Sequence, residues 1–268
     1  MSPAALLRQL GLRPRKRFSQ SFLIDPGLPE VIASAADVGP TDEVLEIGPG
    51  LGILTRALAR RAARVVAVEL DRDLAGVLPR LVPGNVVILA ADALDFAPAE
   101  HFAGPYKLVA NLPYNVTTPV ILRYLDGVHR PSLLMVMVQK EVAERIVAGS
   151  GRRSYLAVAV QSAASPRMVR VVPPGAFFPR PKVDSAVLRL EPRAAGLVPD
   201  DRRAAFLKLV QAGFAQPRKQ LANSLAQGLD RPKSDVLELL IRAGILAERR
   251  PQDLELDEWR VLFEQDGG

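Results

Sequence analysis

Short apolar runs alternate with amphipathic segments between residues 42 and 148. Five runs, rich in Val, Ile and Leu and nearly free of charge, are typical of buried parallel strands, and they lie at 42–47, 64–69, 86–91, 106–111 and 132–138. Helical patterns separate them, near 52–62, 72–81, 118–126 and 139–148. Because this alternation requires right-handed crossovers, we expect an α/β fold with helices on both faces of a parallel sheet.

The rest of the chain divides into an extension of this sheet and a helical region. Apolar runs at 168–172 and 185–191, joined by a Pro-rich loop, predict an antiparallel edge and bring the total to seven strands. A Pro- and Gly-containing segment follows, and beyond it only helical patterns occur, near 204–214, 236–241 and 254–263. We predict three regions, which are a basic N-terminal arm (1–25), a sheet domain (26–195) and a small all-α C-terminal domain (200–268).

Composition excludes several classes of protein. Hydrophobic residues make up 49% of the chain, which is enough to bury a core and argues against disorder. No apolar run approaches the about 18 residues of a membrane span, and the basic N-terminus is not a secretory signal, so we expect no membrane partner. The chain has no Cys and only two His, so disulfides and cysteine nucleophiles are excluded and no metal is expected. We expect a cytoplasmic protein, because cysteine usage fits a reducing compartment.

The charge balance is moderately basic. The chain has 35 Lys and Arg against 29 Asp and Glu, a formal charge of +6. This excess suits a polyanionic partner, and equally a soluble protein that happens to be basic. Three basic clusters are candidates for phosphate contact, and solvated charged faces are the alternative for each. They contain Arg13, Arg15, Lys16 and Arg17; Arg152 and Arg153; and Arg218 and Lys219.

A glycine-rich turn follows the first predicted strand of the sheet. Gly48, Gly50 and Gly52 let the backbone approach a bound group closely, and Glu46 precedes them. The dinucleotide fingerprint requires its third glycine at position 53, which is Ile53 here. The turn therefore suits a cofactor with a carboxylate and an ammonium group better than a diphosphate.

Acidic residues end the next two predicted strands. Glu69 lies 21 residues after Gly48, at the distance where a carboxylate accepts hydrogen bonds from ribose hydroxyls, and Asp92 can accept one from the exocyclic amine of adenine. Alone, each is more simply a helix cap or a solvated turn. At the carboxyl ends of successive strands they describe a pocket for an adenosine with a zwitterionic tail, which predicts S-adenosylmethionine as cofactor.

Asn111-Leu112-Pro113-Tyr114 ends the fourth predicted strand. The Asn111 side-chain oxygen and the Leu112 carbonyl can accept both N–H protons of an exocyclic base amine, so that its lone pair faces a donor methyl group. Pro113 stiffens the turn, and Tyr114 offers a ring for stacking on an extruded base. The alternative is a simple turn with an Asn cap.

Two aromatic residues, Phe177 and Phe178, lie in the Pro-rich loop. Either could close on the second face of the base, and a hydrophobic plug beneath the loop is the alternative.

These motifs together resemble the ribosomal RNA adenine dimethyltransferases, the KsgA group of the class I Rossmann-like methyltransferases. The resemblance covers essentially the whole chain. It rests on segments 15–23, 46–52, 111–114, 139–141, 177–185 and 214–223, with Glu69 and Asp92. Ser21 stands where the family usually has Asn, and Pro217 stands where it usually has Arg.

The resemblance implies a Rossmann-like, seven-stranded methyltransferase sheet and N6,N6-dimethylation of two adjacent adenosines in a hairpin loop near the 3′ end of small-subunit ribosomal RNA. It also implies a role in small-subunit biogenesis, and we expect a monomer. Catalytic positions would be Asn111, Leu112, Pro113, Tyr114 and Phe177. Cofactor-binding positions would be Ser21, Leu23, Gly48, Gly50, Glu69, Asp92 and Asn111.

Three other functions remain open. The first is a DNA adenine-N6 methyltransferase, which Leu112 and the helical tail disfavour, because those enzymes typically have Pro at that position. The second is an antibiotic-resistance methyltransferase acting on large-subunit RNA, which shares most of these motifs. The third is a non-catalytic ribosome-assembly factor, which an intact Asn111–Tyr114 motif disfavours.

Overall fold

The computed structural model describes residues 3–15 and 20–267. Strands within these residues, in chain order, are β1 (Phe22–Leu23), β2 (Glu43–Ile47), β3 (Arg64–Glu69), β4 (Val86–Ala90), β5 (Tyr106–Asn111), β6 (Leu133–Gln139), β7 (Ala164–Val172), β8 (Phe177–Phe178) and β9 (Ser185–Pro192). The α-helices are α1 (Pro3–Gln9), α2 (Leu28–Ala35), α3 (Ile53–Ala59), α4 (Arg72–Val77), α5 (Thr117–Asp126), α6 (Lys140–Val147), α7 (Tyr155–Gln161), α8 (Arg203–Gly213), α9 (Leu221–Leu229), α10 (Lys233–Arg242) and α11 (Leu256–Gln265). The motif residues Lys16, Arg17, Phe18 and Ser19 lie outside the described residues.

Seven strands form one sheet in the order β4-β3-β2-β5-β6-β9-β7. The pairs from β4 to β6 are parallel, and β9 runs antiparallel to β6. The predicted α/β, Rossmann-like sheet with its antiparallel strand is confirmed. Because β2 lies between β3 and β5, the order reverses beside it, and ligands of such sheets bind at the carboxyl ends of these strands.

The apolar runs form strands because both faces of the sheet are covered. Every residue of β6 except Gln139 is buried, and β2, β3 and β5 are buried along most of their lengths. Helices α3 and α4 pack beside β3, and α3 also packs on α2. This continuous burial holds the strand ends, and the loops that follow them, in fixed positions.

The structure differs from the predicted elements mainly at helices whose sequences lack a clear 3.6-residue apolar pattern. Four helices, α1, α2, α7 and α9, have no counterpart among the predicted helical patterns. The α7 sequence, YLAVAVQ, is almost entirely apolar and has no 3.6-residue pattern, because all but its first residue are buried. Strand β7 begins at Ala164, ahead of the predicted start at 168.

The chain packs as two compact units. The first comprises the described residues of Met1–Ala143 together with Arg167–Pro192, and the second comprises Glu144–Pro166 and Arg193–Gly268. The first unit therefore lacks residues 144–166 and 193–195 of the predicted sheet domain (26–195), and it includes the described residues of the predicted arm (1–25). Val158 on α7 belongs to the core of the helical unit, which explains why this segment packs there.

The second unit is built around a buried Trp259. Gly213 and Gly228 permit close helix contacts, since a Cβ on Gly213 would lie 2.4 Å from the Trp259 ring and one on Gly228 would lie 2.5 Å from Ala212. Arg203 is buried, and its guanidinium donates to Ser162 Oγ at 2.8 Å. The predicted all-α character of 200–268 agrees with these helices.

Across residues 3–15 and 20–267, no helix has both the length and the apolar character needed to cross a bilayer. In the same residues, no cluster of three or more His, Asp or Glu side chains is arranged to hold a metal ion.

Candidate active site

A cavity of about 170 Å³ opens at the carboxyl ends of β2, β3, β4 and β5. Its walls come from these strand ends, the segment before β1, and β8. Every residue predicted for the site lines it: Ser21, Leu23, Gly48, Gly50, Glu69, Asp92, Asn111, Leu112, Pro113, Tyr114 and Phe177. The fold therefore brings all the predicted positions together, as expected for a crevice at the switch in strand order.

The glycine turn has the backbone conformation that requires glycine. Gly48 and Gly50 have φ values of +68° and +58°, in the left-handed region. A Cβ on Gly50 would lie 3.0 Å from the Phe22 ring, so this turn lies directly against β1. The turn is anchored to β3, because the Gly48 amide donates to Val68 O at 2.9 Å.

Glu69 is buried at the end of β3 and holds two backbone segments. Its Oε1 accepts the Asp71 amide at 2.9 Å, and its Oε2 accepts the Gly50 amide at 3.2 Å. Burial raises the pKa of Glu69, and these two amides act against that rise because they favour the charged form. Glu69 therefore fixes the glycine turn in addition to facing the cavity.

Asp92 follows β4 and uses one oxygen to shape its own turn. Its Oδ1 accepts the Leu94 amide at 2.9 Å, and its carbonyl accepts the Phe96 amide at 3.0 Å. Asp92 also lines the cavity. Asp92 is therefore a turn residue and a lining residue at once, so the two interpretations made from sequence are compatible.

The turn after β5 orients the amide of Asn111. Asn111 Nδ2 donates to Ser21 O at 3.3 Å, which leaves the side-chain oxygen for another partner. The Leu112 amide is held by Met137 O at 3.1 Å on β6. The Tyr114 hydroxyl lies 2.8 Å from Ser185 Oγ, which fixes the far end of that ring.

Strands β1 and β8 form a two-stranded antiparallel ribbon across the cavity. Phe22 pairs with Phe178, and Leu23 pairs with Phe177. Phe177 lines the cavity, whereas Phe178 packs beside the apolar cluster that contains Phe22. Of the two aromatic candidates, Phe177 is therefore the one at the site.

Ser21 contributes through its backbone as well as its side chain. Its carbonyl accepts the Asn111 amide at 3.3 Å, and its Oγ donates to Pro179 O at 2.8 Å. A serine therefore links the N-terminal segment to both β5 and the loop after β8.

Sequence reasoning missed Asp71, which ties the N-terminal segment to the cavity wall. This buried carboxylate accepts hydrogen bonds from Arg15 Nη1 at 2.9 Å and from Gln20 Nε2 at 3.0 Å, and Arg15 also donates to Asp73. Arg15, one of the candidates for phosphate contact, forms ion pairs with Asp71 and Asp73 in this structure. The sequence around Asp71 indicates only a helix N-cap, because its side chain accepts the Asp73 amide at the start of α4.

The other basic clusters belong to the second unit. Arg153 donates to Glu255 at 2.8 Å and to Leu254 O at 2.9 Å, so it is engaged within the protein. Arg152, Arg218 and Lys219 are exposed. These three remain candidates for phosphate contact.

Comparison with known proteins places the chain in a family. The family model for ribosomal RNA adenine dimethylase matches residues 11–264. A Dehalococcoides mccartyi protein named ribosomal RNA small subunit methyltransferase A is 46% identical over 255 residues, which are 94% of this chain and 88% of that protein. A Moorella thermoacetica protein of the same name is 43% identical over 272 residues, covering 96% of this chain and 94% of the relative.

Solved structures show the same architecture. A dimethyladenosine transferase from Plasmodium falciparum aligns with a TM-score of 0.78 at 25% identity, covering 92% of this chain and 98% of that one. The 23S rRNA methyltransferase ErmE aligns with a TM-score of 0.72 at 30% identity, covering 92% of this chain and 100% of that one. These matches confirm the resemblance inferred from the motifs and identify a methyltransferase. The chain belongs to the ribosomal RNA adenine dimethylase family.

Proposed function

We propose that this protein uses S-adenosylmethionine to dimethylate N6 of two adjacent adenosines in a hairpin loop near the 3′ end of small-subunit ribosomal RNA. One observation carries the proposal: the Asn111–Tyr114 turn, the glycine turn and Phe177 line a single cavity in a chain of this family. A methyl donor and an extruded base can therefore meet beside Asn111.

The residues present fit this cofactor. Glycines at positive φ keep the turn free of side chains, and Glu69 and Asp92 place carboxylate oxygens at two successive strand ends. Glu46, also in the lining, has a buried oxygen without a hydrogen-bond partner among the described residues, which a cationic donor group can satisfy. The bound cofactor supplies an electrophilic methyl group on a sulfonium. Glu69 is assigned to the ribose, Asp92 to the adenine, and Gly48 and Gly50 to the methionine part.

Asn111 and Leu112 are assigned to the target amine. An exocyclic amine is a weak nucleophile, since its lone pair is delocalised into the ring. With Nδ2 held by Ser21 O, Asn111 Oδ1 is oriented to accept one N–H, and the Leu112 carbonyl accepts the other. The lone pair then faces the methyl group, and positioning of this kind supplies on the order of 7–11 kcal/mol at best. The proton leaves to solvent after the nitrogen becomes cationic, so no strong base is required.

Tyr114 and Phe177 are assigned to the two faces of the extruded base. Stacking on an aromatic side chain contributes about 1–3 kcal/mol per base. The Tyr114 ring is anchored through Ser185, and the Phe177 ring is buried in the apolar cluster that also contains Leu23. Both rings are therefore preorganised, which reduces the entropic cost of holding the base.

A second candidate is dimethylation of large-subunit RNA, which the similarity to ErmE supports. The higher identity to the small-subunit relatives, 46% against 30%, favours small-subunit RNA. We also propose that the protein acts as a monomer in the cytoplasm, where ribosomal subunits are assembled in bacteria. Its second unit, with Arg218 and Lys219, is proposed to contact the RNA backbone.

The test is methyl transfer from labelled S-adenosylmethionine to unmodified small subunits, large subunits and DNA, followed by nucleoside analysis. Dimethyladenosine confined to small-subunit RNA is the expected result, and label in large subunits alone would select the second candidate. Asn111→Ala should abolish transfer and leave RNA binding near normal. Gln227→Ala, which changes an exposed amide on α9, is the control and should keep full activity.

A further inference from the structure

Glu46, the penultimate residue of β2, is a buried carboxyl in the cavity wall without a matching cation. Its side chain lines the cavity although the residue is only 1% exposed. Within the described residues, Glu46 Oε2 has no hydrogen-bond partner, and neither has the hydroxyl of the buried Thr55. A buried ionised carboxylate without a partner is costly, so this group must either be neutral or receive a cation when the cavity is filled.

The charged groups around Glu46 do not supply that cation. Glu69 faces it from β3 and carries the same charge, and β5 contributes the apolar Val109 opposite it. Arg56 on α3 attracts it weakly, because the guanidinium donates instead to Leu51 O at 3.2 Å and Leu81 O at 3.3 Å. Burial raises the pKa of Glu46 to about 8; the Thr55 hydroxyl and, more weakly, Arg56 act against this rise, and the charge of Glu69 adds to it.

We propose that Glu46 is protonated in the ligand-free cavity and loses its proton when the amino group of the methionine part of the cofactor enters as an ammonium. This inference rests on the proposed function, because it requires that the methionine part lies against the glycine turn. The Glu46 carboxylic acid becomes a carboxylate, the proton passes to solvent, and the ammonium N–H donors satisfy the oxygen that was unpartnered.

The ammonium is the partner that the geometry favours. Glu46 is separated from Gly48 by one residue, so its side chain lies beside the turn that is assigned to the methionine part. A sulfonium has no N–H or O–H to donate, so it cannot supply the missing hydrogen bond. Product and substrate forms of the cofactor both retain the amino group, and both should therefore displace the proton.

Calorimetry on the intact protein measures this proton directly. Binding enthalpies are recorded at pH 6.5 in buffers of different ionisation enthalpy, and the slope gives the protons released per site. At this pH Glu46, with a pKa of about 8, and a free α-amino group, with an ordinary value of about 7.7–8.0, are both almost fully protonated. Release close to one proton per site is therefore expected. The ligands are S-adenosylmethionine, S-adenosylhomocysteine and 5′-methylthioadenosine, which lacks the amino acid part.

Release is expected with the first two ligands and not with 5′-methylthioadenosine. Glu46→Gln should bind all three without release, whereas Glu43→Gln, which changes an acid outside the cavity lining on the same strand, should behave as the unmodified protein. Equal release with 5′-methylthioadenosine, or binding of the first two ligands without release, would overturn the inference and leave the proposed function intact. Failure of S-adenosylmethionine and S-adenosylhomocysteine to bind at all would instead contradict the proposed function.

Discussion

Replacing Gly50 by alanine tests whether the glycine turn and the β1–β8 ribbon form one wall of the cavity. The backbone at Gly50 has φ +58°, where an alanine costs about 1–2 kcal/mol. The new Cβ would also lie 3.0 Å from Phe22 Cδ1, so Phe22 must move by a few tenths of an ångström. Overpacking of this kind costs about 1–3 kcal/mol.

The two contributions can be separated with a matched variant. Gly244 also has positive φ, +69°, and a Cβ there would have nothing within 4 Å. Gly244→Ala should therefore cost only the backbone contribution, about 1–2 kcal/mol, as measured by denaturant unfolding. Gly50→Ala should cost more, because β1 is displaced as well.

Displacement of β1 should also appear in cofactor affinity. If the about 1–3 kcal/mol of overpacking is relieved by moving β1 off the cavity, S-adenosylmethionine should bind roughly 5- to 150-fold more weakly to Gly50→Ala. Gly244→Ala should bind it normally. Unchanged affinity in Gly50→Ala, measured by calorimetry, would refute the close approach of this turn to β1.

Three further predictions concern separate parts of the chain. Gly213→Ala should lower stability by about 1–3 kcal/mol, measured as a reduced Tm, because the new methyl group overlaps the buried Trp259 ring; an unchanged Tm would contradict that packing. Tyr114→Phe should keep most RNA methylation while Tyr114→Ala loses most of it, since the ring stacks and the hydroxyl only anchors it to Ser185; equal losses in initial-rate assays would show that the hydroxyl is essential. The ligand-free protein should lose stability as pH rises from about 5 through 8, because the raised pKa of Glu46 makes the folded state bind a proton that the unfolded state has released. Glu46→Gln should flatten this dependence in thermal melts, and an identical slope would exclude Glu46 as its source.

The strands of the sheet could be predicted because their continuous apolar sequences indicate burial on both faces of the sheet. Runs such as Leu133–Gln139 are apolar on both faces, and only a strand covered by helices on both sides buries such a run. The site followed from the same pattern, since polar residues at the ends of parallel strands meet at one edge of the sheet.

The remaining features depend on contacts that local sequence does not report. The pairing of Phe22 and Leu23 with Phe178 and Phe177 joins segments far apart in the chain, and two-residue strands have no period. The ion pair of Arg15 with Asp71 also joins distant parts of the chain. A basic segment has the same sequence pattern whether its side chains are solvated or ion-paired. Membership of α7 in the helical unit was missed because an entirely buried helix has no polar face.

On the proposed assignment of the site, the β1–β8 ribbon would couple departure of the spent donor to release of the product base. Leu23 and Phe177 are strand partners, and they are assigned to the donor side and the base side of the cavity respectively. Movement of β1 to release the spent donor would also displace β8, which is assigned to hold the base. In the proposed reaction, two adenosines that receive two methyl groups each consume four donors, so β1 and β8 would have to separate and pair again at each turnover. The stability of this short ribbon would then limit how long a half-methylated base stays in place.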